Sequence, residues 1–247
     1  HAWLDDLPLI LEHCRKKFGL KSGRPSPHLS INYIEFTETA RGQPVVLKVG
    51  VPHPELFSEM KALQYYDGQG VVRLICSDDV LGAMLLEKIN PGTMLWELRN
   101  NPQEARIAAS VIRTLPKPVP KQCDLPTFDQ WTSRAFHLTR TQWDPQEHMP
   151  RILIDTAEAA LKEIQNQSPG DMMLHGDLHH ENILTRQGEG FVCFDPKGYL
   201  GDPAYELGLL LGQYLFWAIA LERSEQGQQA TQSFIESYCQ QSTAEWS

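Results

Sequence analysis

The sequence predicts an α+β fold in two lobes, a small antiparallel sheet with one helix followed by a mainly helical lobe. Three observations predict it. Between Leu29 and Glu87, β-forming runs alternate with turn residues, and a single helical stretch lies among them. At Asn90-Pro91-Gly92 the β pattern is broken. Beyond Pro102 most apolar residues recur at helical spacing. The boundary is expected near Lys88, which gives lobes at 1–88 and 89–247.

The elements follow in order. Trp3 to Phe18 reads as a helix with Gly19 as its stop signal. Leu29 to Glu38 is rich in β-formers, Thr39 to Gln43 supplies a turn, and Pro44 to Val49 is a strongly apolar strand, so the pair predicts a hairpin. Pro54 to Tyr66 carries Leu56, Met60 and Leu63 on one helical face and closes at Asp67-Gly68. Two more strands are expected at Val71 to Cys76 and Ala83 to Glu87. In the second lobe the spacing predicts helices over Pro102 to Leu115, Phe128 to Thr139 and Pro145 to Gln165. Four prolines between Pro116 and Pro126 mark an extended connector. A β interlude is expected from Met172 to Phe194, then helices over Pro203 to Arg223 and Gln226 to Cys239.

Composition narrows the function classes. A chain of 247 residues with 41% hydrophobic and 21% charged content is neither disordered nor fibrous in character. Its formal net charge of −9 leaves no basic stripe to displace counterions, which argues against a nucleic-acid partner. The longest apolar stretch, Leu207 to Leu221, is interrupted by Gln213 and falls short of the roughly 20 residues that span a bilayer, so no membrane is expected. Asp5, Asp6 and Pro8 fall where the apolar core of a signal peptide would run. The five cysteines are scattered without a C-x-x-C pair, the pattern of reduced thiols in a cytoplasmic protein.

The chemistry concentrates in His175-Gly176-Asp177-Leu178-His179-His180-Glu181-Asn182, which fits the kinase catalytic-loop pattern H-x-D-L-x-x-x-N. Thirteen residues beyond Asn182 stands Asp195, closing the apolar run Phe191-Val192-Cys193-Phe194. Phosphoryl transfer needs these types: one carboxylate to orient the acceptor hydroxyl, and a second carboxylate with an amide oxygen to hold Mg²⁺ against the phosphates. Taken singly, an Asp or Asn in a turn bonds its own backbone; the three together point to function. Lys48, in the middle of Val45-Val46-Leu47-Lys48-Val49, is costly to bury unpaired. Its partner is expected on the next helix, where Glu55 and Glu59 share a face, and Glu59 lies deeper. The alternative is an edge-strand lysine reaching solvent. Glu87 and Ile89 end a strand where the lobes would meet, and by position alone the Glu87 carbonyl and Ile89 N–H are expected to read an adenine edge, an ordinary strand end being the competing reading. A metallohydrolase cluster of His175, His179 and His180 with the two aspartates is the rival reading, although no second spaced histidine motif accompanies it.

At these residues the chain resembles the aminoglycoside phosphotransferases, which have a protein-kinase-like fold. Leu174 to Leu184, Asp195-Pro196-Lys197-Gly198 and Gly201-Asp202-Pro203-Ala204-Tyr205-Glu206 look like the streptomycin and hydroxyurea kinase branch. Weaker similarity runs through Val46-Leu47-Lys48-Val49, Asp67-Gly68-Gln69-Gly70 and Leu86 to Gly92. The resemblance implies ATP- and Mg²⁺-dependent O-phosphorylation of a small molecule, with 1–88 as the nucleotide-binding lobe. Asp177 would be the base, Asn182 and Asp195 the metal ligands, and Lys48 the phosphate-binding lysine paired to Glu59.

No glycine-rich loop precedes Lys48, so backbone N–H groups and the Ser30 hydroxyl would have to cover the phosphates. Gly176 stands where protein kinases carry arginine, and only a short run separates Asp195 from the helix near Pro203, so no protein substrate is expected. A cationic acceptor would face Glu181, Asp202, Glu206 and Glu222, although Glu222 reads better as a helix cap or a solvated face and Asp202 also suits a helix N-cap. A metabolic kinase for an amino alcohol or sugar, and a catalytically silent nucleotide-binding module, stand as alternatives.

Overall fold

The computed structural model describes residues 2–27, 31–98, 102–142, 151–167, 171–188, 190–220 and 236. Helix α1 (Ala2–Phe18) precedes strands β1 (Arg24–Pro25), β2 (Tyr33–Glu38) and β3 (Pro44–Val49). Helix α2 (Pro54–Tyr66) and strands β4 (Leu74–Asp78) and β5 (Ala83–Glu87) follow. The strands form one antiparallel sheet in the order β1-β2-β3-β5-β4.

Side chains alternate across this sheet with the period of two that a pleated strand imposes. Val45, Leu47, Val49, Ala83 and Leu85 pack with Leu11 and Cys14 of α1. Met84 and Leu86 join Leu56, Met60, Leu63 and Tyr66 of α2 in the other core cluster. Lys48 lies between Leu47 and Val49, so the alternation turns it toward α2. The sequence assigned the sheet one helix; α1 is a second, and β3 explains it, because apolar residues stand on both faces of that strand around Lys48 and both faces need cover. Arg15 of α1 is tied to Glu35 of β2, Nη2 to Oε2, at 2.6 Å. Helix α2 starts at Pro54, and the His53 side chain accepts from the N–H groups of Glu55 and Leu56.

The expected strand at Val71 to Cys76 is displaced. Val71 and Val72 leave the sheet to pair with Cys193, whose carbonyl accepts from the Val72 N–H at 2.8 Å. A β-forming dipeptide does not specify which strand it joins, and here the second lobe takes it.

The second lobe opens with β6 (Pro91–Met94) and a 3-10 turn (Leu95–Leu98). Then come α3 (Pro102–Thr114), β7 (Lys117–Pro118), α4 (Phe128–Gln142), α5 (Arg151–Gln167) and β8 (Met172–Leu174). A 3-10 turn (His180–Asn182) leads into β9 (Ile183–Arg186), β10 (Gly190–Cys193), β11 (Tyr199–Gly201) and α6 (Ala204–Ala220). Asn90-Pro91-Gly92 ends one sheet and also starts another: Pro91 is the first residue of β6, which pairs with β9 in the order β10-β9-β6. Inside the proline-rich connector, β7 pairs with β8 in the order β11-β8-β7. One core cluster runs from α2 through Ala105, Ala108, Ala109 and Ile112 of α3 to Met173, Val192 and Leu210, so α2 packs against both lobes. The helix expected over Gln226 to Cys239 lies outside the described residues except for Glu236, as do 145–150 of the expected Pro145 to Gln165 helix. Among the described residues no helix is long and apolar enough to cross a membrane.

Candidate active site

Strands β8 and β9 flank the loop 175–182, and three side chains brace it. His175 is fully buried. Its Nε2–H donates to the Phe194 carbonyl at 2.9 Å, and its Nδ1 accepts from the Asp177 N–H at 3.3 Å. Those partners define a neutral imidazole, and desolvation pushes its pKa down to about 4. Glu206 of α6 accepts from the Gly176 N–H at 3.1 Å. The Asn182 amide Nδ2 donates to the Asp177 carbonyl at 2.9 Å, and the Phe194 N–H donates to the Asn182 carbonyl at 3.0 Å. Gly176 has φ 80°, and a Cβ there would lie 2.4 Å from Tyr199 Cδ2, so neither backbone nor space admits a side chain.

Opposite the loop, Lys48 and Glu59 are each 5% exposed. Lys48 Nζ donates to Glu59 Oε1 at 2.6 Å and Oε2 at 2.7 Å, and also to Asp195 Oδ1. Burial alone would strip its proton, but Glu59 and Asp195 overcome that and hold it charged. Asp195 follows β10 in the left-handed region, at φ 62°. Burial alone would push its carboxyl up; Lys48 first, then Lys197, hold it well below the usual carboxylate range. Lys197 Nζ lies 3.4 Å from Asp177 Oδ2 and 3.6 Å from Asp195 Oδ2, so Lys48, Asp195, Lys197 and Asp177 form one continuous chain of charge.

Glu87 ends β5 at the joint between the lobes. Its Oε1 accepts from the Arg73 N–H at 2.7 Å and pairs with Arg186 of β9, which clamps the joint. Ile89 follows in the same joint, before β6. Ser30 and Glu222 lie outside the described residues.

Two carboxylates expected to face an acceptor are committed elsewhere. Glu206 is buried behind the loop on the Gly176 N–H, where burial pushes its pKa up to about 7. Asp202 Oδ1 accepts from the Ala204 N–H at 2.8 Å, the N-cap contact of α6. The rival histidine cluster is dispersed as well. His180 donates through Nδ1 to Gln213 Oε1 at 2.6 Å and faces Glu104 of α3 through Nε2, while His175 holds the loop. Among the described residues no three His, Cys, Asp or Glu side chains are grouped to hold a metal by themselves. Sequence reasoning gave no role to Lys197 or to the buried Glu104–His180–Gln213 brace. Position two beyond Asp195 was the available signal for the lysine; nothing linear marks Glu104 or Gln213.

Residues 22–237 match the aminoglycoside/hydroxyurea antibiotic resistance kinase family. The streptomycin 6-kinase of Streptomyces glaucescens is 26% identical over 207 residues, 83% of this chain and 67% of that protein. The hydroxyurea phosphotransferase of Kitasatospora aureofaciens is 30% identical over 210 residues, 83% of this chain and 61% of that protein. Among solved structures, the choline kinase LicA from Streptococcus pneumoniae superposes with a TM-score of 0.64 at 14% identity, over 92% of this chain and 79% of that one. The fold is protein-kinase-like.

Proposed function

The chain belongs to the aminoglycoside/hydroxyurea antibiotic resistance kinases, and from that premise we propose that it moves the terminal phosphoryl group of ATP to a small-molecule hydroxyl through Asp177, Asn182, Asp195 and Lys48. A phosphotransferase of this type acts on a hydroxyl group, and the acceptors we propose are a streptomycin-like aminoglycoside or hydroxyurea, after the named relatives. The observation that carries the residue roles is the run of contacts from Glu59 through Lys48 and Asp195 to Lys197 and Asp177, which brings groups from both lobes to one cleft.

In this reading residues 1–88 bind the nucleotide and 89–247 supply the loop and the acceptor side. Lys48, held charged by Glu59, binds phosphate oxygens. The Glu87 carbonyl and Ile89 N–H at the joint meet the adenine edge, and Ser30 stays a candidate for phosphate cover. Asp177 accepts a hydrogen bond from the acceptor hydroxyl and sets its line of attack. The transition state is loose, so positioning contributes more to the rate than carboxylate basicity does.

Magnesium suits the donors present. Asn182 commits its Nδ2 to the loop, which leaves the amide oxygen as its other end, and Asp195 is an ionised carboxylate, so the pair offers the hard oxygen ligands that Mg²⁺ prefers. Bound there with the phosphates completing its shell, the ion would neutralise phosphate charge. The cationic character of the acceptor rests on Glu181, a loop residue whose side chain is 56% exposed, now that Glu206 and Asp202 are engaged. A metabolic kinase or a silent module is not favoured by the family. An assay of ADP release with Mg²⁺–ATP across aminoglycosides, hydroxyurea, choline and simple sugars tests the proposal, with the mass of each compound read afterwards. The reading expects one added phosphoryl group on an aminoglycoside or hydroxyurea. Phosphate gained by the protein, or by choline or a sugar alone, would contradict it.

A further inference from the structure

We propose that Lys197 is a second phosphate-binding cation, whose ammonium, poised between Asp177 and Asp195, takes the oxygens of the phosphoryl group in transfer. The inference rests on the phosphotransferase reading above.

The backbone of the segment is fixed before its side chain is considered. The Lys197 and Gly198 N–H groups both donate to the His175 carbonyl, at 2.7 and 3.1 Å. Gly198 has φ 69°, and a Cβ there would lie 2.6 Å from Ala62 Cβ and 3.0 Å from the Ser58 carbonyl oxygen of α2. The turn after Asp195 is therefore held between the loop and α2. Lys197 starts from a defined point.

Its head is held differently from that of Lys48. Lys48 makes two bonds to Glu59 at 2.6 and 2.7 Å. Lys197 sits 3.4 and 3.6 Å from its carboxylates, longer than the roughly 2.7–2.9 Å of a formed charge-assisted bond, and its side chain keeps 33% exposure. It sits as a counter-ion between two carboxylates, with its charge not taken up by one close bidentate partner. Asp195 Oδ1 meets Lys48 and Oδ2 meets Lys197, so each oxygen of the proposed metal ligand has its own lysine. Lys197 also meets Asp177, at 3.4 Å.

That place is where transfer puts its charge. The hydroxyl oxygen forms a bond to phosphorus, the bond from phosphorus to the ADP oxygen breaks, and the hydroxyl proton leaves toward Asp177. Lys197 keeps its own protons throughout. The moving group spreads negative charge over three oxygens midway, and a fixed cation placed there stabilises the transition state more than the ground state.

The test uses Lys197→Met and Lys197→Arg in the full chain, with calorimetric binding of Mg²⁺–ADP and of the non-hydrolysable Mg²⁺–AMP-PNP beside turnover. For Lys197→Met the expected result is ADP affinity unchanged, AMP-PNP affinity about tenfold weaker, the worth of one charged hydrogen bond, and kcat down by about 10²–10³-fold with the acceptor KM steady. Lys197→Arg should restore part of both. ADP and AMP-PNP affinities that fall together, or neither falling while kcat holds, would overturn the proposal and leave the lysine a counter-charge only. Should Lys197→Met fail to fold, the AMP-PNP to ADP ratio of Lys197→Arg decides alone, an unchanged ratio being the overturning result. Parent protein that binds neither nucleotide would overturn the phosphotransferase reading itself, a failure separate from that of the lysine.

Discussion

Lys48 enters the cleft from the middle of a strand and is 5% exposed, whereas Asp177 enters from a loop and its side chain keeps 36% exposure. The lysine is fixed through its head, which Glu59 grips with both oxygens. The aspartate is fixed through its backbone, with His175 on its N–H and Asn182 on its carbonyl, while its carboxylate meets Lys197 at 3.4 Å. The contrast teaches how one site serves two tasks. A cation that must stay charged in a dry place needs partners on its charge, and a carboxylate that must receive a new hydroxyl needs partners everywhere else.

Three experiments break or sharpen that contrast. Glu59→Gln should have the largest effect on stability. Removing one partner of a buried ion pair costs about 3–5 kcal/mol, and Asp195 at Lys48 lowers the loss here toward the bottom of that range. The urea midpoint measures it, and an unchanged midpoint would mean that the head of Lys48 is not held as described. The second concerns His175. Its pKa falls from the ordinary 6.5 to about 4 on burial, so the folded protein binds fewer protons than the unfolded chain between those values. The stabilisation is complete above pH 6.5 and is lost as pH falls toward 4, a loss of about 3 kcal/mol at 1.36 kcal/mol per unit. Glu206, raised to about 7 from 4.5, has the opposite sign and favours the folded state as pH falls from 7 toward 4.5. Glu59, also pushed up to about 7 by burial, acts in the same sense as Glu206, so the two carboxyls offset the loss at His175. Melting curves of His175→Gln should therefore gain stability relative to the parent as pH falls from 6.5 to 5; the same pH dependence in both proteins would show that His175 does not contribute as described. The smallest effect is expected at Lys61, whose bond to Asp124 at 2.5 Å lies on the surface. Lys61→Ala should leave the urea midpoint unmoved, and a shift as large as that of Glu59→Gln would erase the distinction between buried and exposed pairs.

The sequence was most readable where a local rule acts. The cost of burying a lone lysine in an apolar strand gave Lys48 a partner on the next helix, the shared face of Glu55 and Glu59 offered Glu59, and the loop residues stand at fixed spacing in one segment. It was least readable where partners come from far along the chain. Glu206 looked like a carboxylate for the acceptor because nothing in Pro203-Ala204-Tyr205-Glu206 says which way that turn of α6 faces; the fold turns it onto Gly176. His180 entered only the rival metal-cluster reading, and its partners, Glu104 of α3 and Gln213 of α6, could not be read from the segment around it. Val71 and Val72 were read into the wrong sheet for the same reason, since β propensity names a conformation and not a neighbour.

The central claim is that Asp177 orients the acceptor while the nucleotide is held by other groups. Asp177→Asn tests it most directly, by single-turnover transfer measured beside calorimetric binding of Mg²⁺–AMP-PNP. The account predicts transfer slowed by about 10²–10⁴-fold with nucleotide affinity kept. Transfer at the rate of the parent protein, or transfer and affinity lost together, would contradict it.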